Sequence, residues 1–217
     1  MPVRKVSNRG GNIVGRFPSL KMRRMIAFES LLERDFIYLL DYEAQVEQFE
    51  EQPLTIEYQY EDQTLHYTPD FHLIEAGHPI LVECKPDRFV DTEENCRKFA
   101  AARAWCDQHG REFRVVTDRQ LRAGWRLRNV QRLTAYARLK VAAELSSRIV
   151  ACVREATTTL TLQTVAQTIQ PDDPHPIIAS LLHLSFHHVL ELPLDTAPLS
   201  GASLVSWRAP LDQRVKP

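Results

Sequence analysis

The sequence predicts an α/β fold: a mixed sheet flanked by helices, followed by a small helical domain. Three observations carry this expectation. Apolar residues Phe28, Leu31, Leu32, Phe36, Leu39 and Leu40 fall at the 3-and-4 spacing of one buried helical stripe. Three strand-like runs between Leu54 and Lys85 are separated only by short turns, which predicts antiparallel neighbours. An alanine-rich helix and a further strand then follow, which makes the sheet mixed. The chain has 217 residues and a mass of 25.0 kDa, enough for one ordinary domain and a small second one.

The elements are taken in order. Residues 1–20 are rich in Arg, Gly, Ser and Pro and read as a basic, extended arm. From about Lys21 to Tyr42 the pattern is helical. Leu54–Tyr60 alternates with period two and carries β-branched and aromatic residues, so it reads as a strand. Glu61–Gln63 is a turn, Leu65–Ile74 a second strand, Glu75–His78 a turn, and Pro79–Lys85 a third strand stopped by Pro86. Asn95–His109 reads as a helix with Gly110 just past its end. Glu112–Thr117 is a fourth strand, and Thr117 or Asp118 can cap a basic helix after it. This first domain is expected to span 21–140. Residues 141–217 have helical patterns at 140–156, 161–169 and 177–184, then strand-like pieces at 187–192 and 203–207. Three helices and a hairpin are the order of a winged-helix module.

The net charge of −1 conceals segregation. Residues 1–28 hold Arg4, Lys5, Arg9, Arg16, Lys21, Arg23 and Arg24 and no acid. Residues 29–83 hold fourteen acids and one base, Arg34, and 84–148 hold fifteen bases and eight acids. An acidic block between basic ones points to a polyanion near an acidic site, and the seven basic residues of the arm are candidate DNA contacts. The arginines at 119, 122, 126, 128, 132 and 138 face DNA, a partner or simply solvent. No apolar run approaches 18 residues and no apolar leader opens the sequence, so a membrane span and a secretory signal are not expected. Cys84, Cys96, Cys106 and Cys152 form no Cys-x-x-Cys pair, which fits free thiols in a reducing cytoplasm. His183, His187 and His188 lack a Cys or acidic companion for zinc, and His66 and His72 read as packed or exposed strand histidines.

The chemistry lies in the hairpin of strands two and three. If Ile74 pairs with Pro79, His72 lies opposite Leu81 and Asp70 opposite Glu83. Facing Cβ atoms are then roughly 5 Å apart. Two carboxylates that close repel unless a cation lies between them. Glu83 and Lys85 share a face, while Val82 and Cys84 point to the other. Two hard oxygen ligands and an ammonium suit Mg²⁺ or Mn²⁺, and a metal-activated water with Lys85 beside it is the chemistry of phosphodiester hydrolysis.

Pro69-Asp70 and Glu83-Cys84-Lys85 lie on adjacent strands behind a helix bearing glutamates. In this the chain resembles the restriction-endonuclease-like nucleases with a Pro-Asp…(Asp/Glu)-x-Lys motif. More narrowly it resembles the TnsA family, endonuclease subunits of Tn-seven-type transposons. The likeness rests on Phe17–Lys21, Glu29–Phe36, Glu50–Pro53, Tyr67–Phe71 and Glu83–Lys85 and covers about 10–140. It implies that Asp70, Glu83 and the Cys84 carbonyl hold one or two Mg²⁺, that Glu33 completes the shell through water, and that Lys85 positions the nucleophile. Glu29, one turn earlier on the same expected helix face, could share the role of Glu33. Some family members carry Gln at the position of Glu83, and a full charge there should bind metal more tightly. The resemblance further implies cutting of the 5′ strands at transposon ends, with the DDE transposase TnsB cutting the 3′ strands and the AAA+ regulator TnsC contacting the C-terminal domain. In that domain a helix-turn-helix over 161–184 would carry basic recognition residues, but this stretch has Gln163, Gln167, Asp172 and Asp173 instead, so it is expected to bind protein. Two rival readings are a stand-alone restriction or repair nuclease and a non-catalytic adaptor between transposase and regulator.

Overall fold

The structure, a computed structural model, describes residues 13–208. The chain divides into two units, 1–123 and 124–217. The expected boundary at 140 falls inside the second unit.

The first unit opens with an antiparallel hairpin, β1 (Gly15–Pro18) and β2 (Met25–Phe28). The arm expected over 1–20 therefore becomes strand within its last residues, and the helix expected from Lys21 starts later. Helix α1 spans Leu31–Tyr42. Its start is set by Ser30: the hydroxyl accepts from the Glu33 N–H, and the Glu33 carboxylate returns two bonds. Gly15 faces Phe28, where an added Cβ would come within 2.3 Å of the ring. The bend between β1 and β2 is held by Asp41, which accepts from the Ser19 hydroxyl and from the N–H groups of Leu20 (3.1 Å) and Lys21 (3.0 Å).

Four strands form the central sheet in the order β3, β6, β7, β8. They are β3 (Val46–Glu51), β6 (Phe71–Glu75), β7 (His78–Cys84) and β8 (Glu112–Val116). All pairs are antiparallel except β7 with β8, which is parallel, so the sheet is mixed as expected. The expected second strand is two. β5 (Gln63–Tyr67) pairs with β4 (Ile56–Tyr60) in a separate hairpin, and the chain changes sheets at Pro69, which has no N–H to give to a ladder. The hairpin joining β6 and β7 turns on Ala76 and Gly77, both at positive φ, with Glu75 paired to His78.

The sheet is covered on both faces. One face carries Phe71, Leu73, Ile80, Val82 and Cys84 against Leu32, Phe36, Ile37 and Leu40 of α1. The other carries Leu81 against Ala102 and Cys106 of α2 (Glu93–Gln108), with Ile56 and Tyr67 from the β4–β5 hairpin. β7 is buried on both sides, the environment of a central strand. A short α3 (Asp118–Leu121) ends the unit. This mixed α/β architecture fits a restriction-endonuclease-like fold.

The second unit holds α4 (Arg126–Thr134), α5 (Ala143–Arg154), α6 (Leu162–Ile169) and α7 (His175–Phe186). Its sheet runs β10 (Leu190–Glu191), β11 (Leu204–Trp207), β9 (Leu160–Thr161), with both pairs antiparallel. Asn129 explains why this unit begins before 140. Its side chain donates to the carbonyls of Leu194 and Ala197, both at 2.8 Å, and accepts from the Leu199 N–H at 2.9 Å. Arg132 donates to the Leu199 carbonyl. A buried amide satisfied in this way ties α4 to the loop of 192–203.

Candidate active site

The β6–β7 register is the one the sequence predicts: Phe71 pairs with Val82, His72 with Leu81 and Ile74 with Pro79. Extended by one residue, it sets Asp70 against Glu83. Asp70 ends the Thr68-Pro69-Asp70 crossover, and its position is fixed at both ends. Its carbonyl accepts from the Gln52 N–H at 2.8 Å, and its Oδ2 accepts from the Cys84 N–H at 2.7 Å.

Glu83 is buried near the end of β7. Its Oε2 accepts from the Tyr67 hydroxyl at 2.7 Å, and its Oε1 pairs with Lys85 Nζ at 2.8 Å. Tyr67 stands on β5, so the second hairpin braces the carboxylate from the side. Lys85 continues β7 by donating its N–H to the Val116 carbonyl at 2.9 Å. Residues 83 and 85 share a face, as the strand period requires, and Cys84 points its thiol into the α1-side core.

Three carboxylates share one electrostatic neighbourhood with this lysine. Burial pushes the Asp70 carboxyl well above its ordinary value, and Glu83 and Glu33 push it the same way. The Cys84 N–H and the Lys85 charge oppose this without cancelling it. Glu33 is raised by burial and by the charges of Glu29 and Glu83, against its bonds to the Glu29 N–H (2.7 Å) and the Ser30 hydroxyl (2.8 Å). Burial alone would lower Lys85, but Glu83, Asp70 and Glu33 outweigh it and keep the ammonium charged. Two carboxylates facing each other, a third nearby and one cation leave excess negative charge in a half-dry place.

The oxygens of Asp70 and Glu83 are the donors that could hold a hard divalent cation, and the donor set suits one. Among the described residues no three His, Cys, Asp or Glu side chains stand together as a closed metal cage. Glu33 is occupied by its helix cap. Glu29 lies before the first helical residue, so it is not one turn back on α1.

The sequence marked Asp70, Glu83, Lys85 and Glu33, and the structure brings these four within electrostatic reach of one another. It gave no role to Tyr67, Gln52 or Ser30. The Tyr67 signal was readable in retrospect, as a polar aromatic three residues before Asp70. Gln52, at φ 46° and buried, lies in the Glu50–Pro53 segment on which the likeness rests, but its residue type announces no role.

The basic residues expected to touch DNA divide. Arg4, Lys5 and Arg9 lie outside the described residues. Arg16 and Arg23 are exposed. Lys21 instead caps α1, donating to the carbonyls of Leu40 (2.6 Å) and Glu43 (2.5 Å), and burial lowers its pKa to about 8. Arg24 makes a two-pronged pair with Glu51 at 2.8 and 2.6 Å. Both are spent on the fold, because each lies within reach of acceptors that need a donor. Arg122 pairs with Asp35 and Arg126 with Asp195. His72 stands 3.6 Å from Glu50, and the rings of His183 and His187 meet the carbonyls of Tyr136 and Ala137.

No helix among the described residues is long and apolar enough to cross a membrane. No curated protein matches the chain. A family model does, over residues 43–118, described as TnsA-like endonuclease N terminal. The match includes Asp70, Glu83 and Lys85 and begins after Glu33. Over that segment the chain is similar to the TnsA-like endonuclease N-terminal domain, which supports the resemblance read from the motifs.

Proposed function

We propose that this protein is a metal-dependent DNA endonuclease subunit of a heteromeric transposase, cutting the 5′ strands at transposon ends. The observation that carries the reading is the excess of carboxylate over ammonium at Asp70, Glu83, Glu33 and Lys85. Asp70 and Glu83, with the Cys84 carbonyl, would hold Mg²⁺ or Mn²⁺, and Glu33 would act from its cap through water. A bound ion there would lower the pKa of a coordinated water and offset charge on the phosphate. Lys85 stays protonated, so it orients the attacking water through the water's lone pair and meets the charge that grows on the phosphate oxygens. It does not serve as the base. Tyr67 and the Cys84 N–H hold the two carboxylates in place before substrate arrives. The products would be a 5′ phosphate and a 3′ hydroxyl.

The second unit supports a winged-helix-like role. Helices α5, α6 and α7 with a three-stranded sheet follow that order, and Gln163, Gln167, Asp172 and Asp173 favour a protein surface over DNA. We assign it to contact with the AAA+ regulator TnsC, and end recognition to the transposase TnsB. The test is cleavage of a donor plasmid bearing transposon ends, with Mg²⁺ and TnsB present, comparing wild type with Asp70→Ala and mapping breaks on both strands. The reading expects loss of 5′-strand breaks while 3′-strand breaks persist. Equal cutting by the two proteins would make the Asp-Glu-Lys set structural and the chain an adaptor.

A further inference from the structure

Of the nine phenylalanines in the chain, Phe89 alone is exposed, at 42%. It lies four residues after Lys85, in the segment that leaves the end of β7. Single exposed apolar side chains are ordinary. This one is distinguished by how firmly it is held and by what stands beside it. Its N–H donates to the Pro86 carbonyl at 2.8 Å. Its carbonyl accepts from the Asn95 side chain at 2.6 Å and from the Thr92 hydroxyl at 3.1 Å, both in the cap of α2. Two residues earlier, the Asp87 N–H is fixed on Asp118 at 2.8 Å. The backbone is pinned on both sides while the ring projects into solvent. The Arg88 guanidinium lies over that ring, 4.6 Å from its centroid. Consecutive Cα atoms are about 3.8 Å apart, so four residues keep Phe89 within about 15 Å of Lys85, beside the candidate site.

A rigid aromatic face with a cation stacked on it fits a nucleobase beside a phosphate. The π-face takes an unstacked base, whichever base it is, and the guanidinium meets the backbone. We propose that Phe89 stacks on a base unpaired or unstacked next to the scissile phosphate, with Arg88 on the adjoining phosphate. This rests on the nuclease reading of Asp70, Glu83 and Lys85, since that reading puts DNA at the candidate site.

The full chain is bound, in EDTA, to two fluorescent oligonucleotides: a continuous duplex and the same duplex with a two-nucleotide mismatch bubble. Anisotropy gives both affinities. Wild type should prefer the bubble by roughly tenfold, the size expected for one stacked base. Phe89→Ala should lose that preference while keeping duplex affinity, and Phe89→Trp should keep it. Equal affinity of wild type for the two DNAs would overturn the proposal. So would a preference undiminished in Phe89→Ala, or a Phe89→Ala defect confined to binding of a transposition protein. Asp70→Ala separates this from the parent reading. If it abolishes Mg²⁺-dependent cutting while Phe89→Ala leaves the bubble preference intact, only the stacking proposal falls. If it cuts like wild type, the nuclease reading falls first.

Discussion

Two buried acidic sites in the first unit are built from the same ingredients and reach opposite balances. At Arg24 and Glu51 every charge is matched. The guanidinium grips both carboxylate oxygens, and the Ala27 N–H adds a third bond at 3.3 Å. Burial by itself would raise the Glu51 carboxyl, yet these donors pull it below its ordinary value. At Asp70, Glu83 and Glu33 one lysine faces three carboxylates, and burial and mutual repulsion leave Asp70 well above its ordinary value. The first arrangement stabilises the fold as it stands. The second opposes it, and such a cost persists where a ligand is meant to relieve it. The proposed metal-binding role of Asp70 and Glu83 rests on this difference.

Substitution should split the two sites. The largest effect is on cutting: Lys85→Ala or Asp70→Asn should lower the cleavage rate about a thousandfold, as loss of a group acting on developing charge does. Circular dichroism should show the fold intact. Arg24→Ala, by contrast, should leave the rate per folded molecule unchanged.

Tyr67→Phe comes next. It removes the donor on Glu83 Oε2 and should raise the Mg²⁺ concentration needed for half-maximal rate by roughly tenfold, the usual size for a group that orients a metal ligand. An unchanged Mg²⁺ requirement would show that the hydroxyl is there for packing alone.

Stability should move in opposite directions at the two sites. Arg24→Ala strands a buried carboxylate and should destabilise by about 1 kcal/mol, discounted because the guanidinium is partly exposed. Asp70→Asn removes one of two facing charges and should stabilise the metal-free protein in urea titrations by a similar amount, about 1 kcal/mol.

The smallest effect is on pH dependence. The Glu51 carboxyl is lowered in the folded protein, so its contribution is fully present above the unfolded value near 4.5 and is lost as pH falls through the folded one. Glu51→Gln should therefore be less stable than wild type at pH 6, and the gap should close towards pH 3. A constant gap would remove charge from the account of that pair.

The comparison also shows why one site was legible in the sequence and the other was not. Asp70, Glu83 and Lys85 follow from strand period and hairpin register, which local sequence sets. Ala76-Gly77 fixes the turn, and the turn fixes which residues face each other. Arg24 and Glu51 meet across β2 and β3, and nothing local announces that. β3 itself, Val-Glu-Gln-Phe-Glu-Glu, is rich in residues that strands avoid. Its apolar positions Val46 and Phe49 break the period of two because the register shifts between Val46 and Gln48. The helix expected from Lys21 failed for a related reason. Phe28 fits the helical stripe by spacing, but Ser30 and Glu33 close a cap that starts the helix after it. The arginines expected to face DNA, a partner or solvent do not all do so: Arg132, beside Asn129, donates to the Leu199 carbonyl far along the chain.

The central claim is that Asp70 and Glu83 are held together, against their repulsion, to take a divalent cation. The most direct measurement is the melting temperature of the protein with EDTA and with millimolar Mg²⁺, for wild type and Asp70→Asn side by side. Binding to the native state alone raises the melting temperature. The account predicts a clear Mg²⁺-dependent rise for wild type and none for Asp70→Asn, which in EDTA already melts above wild type. No rise in wild type, or the same rise in both, would contradict it.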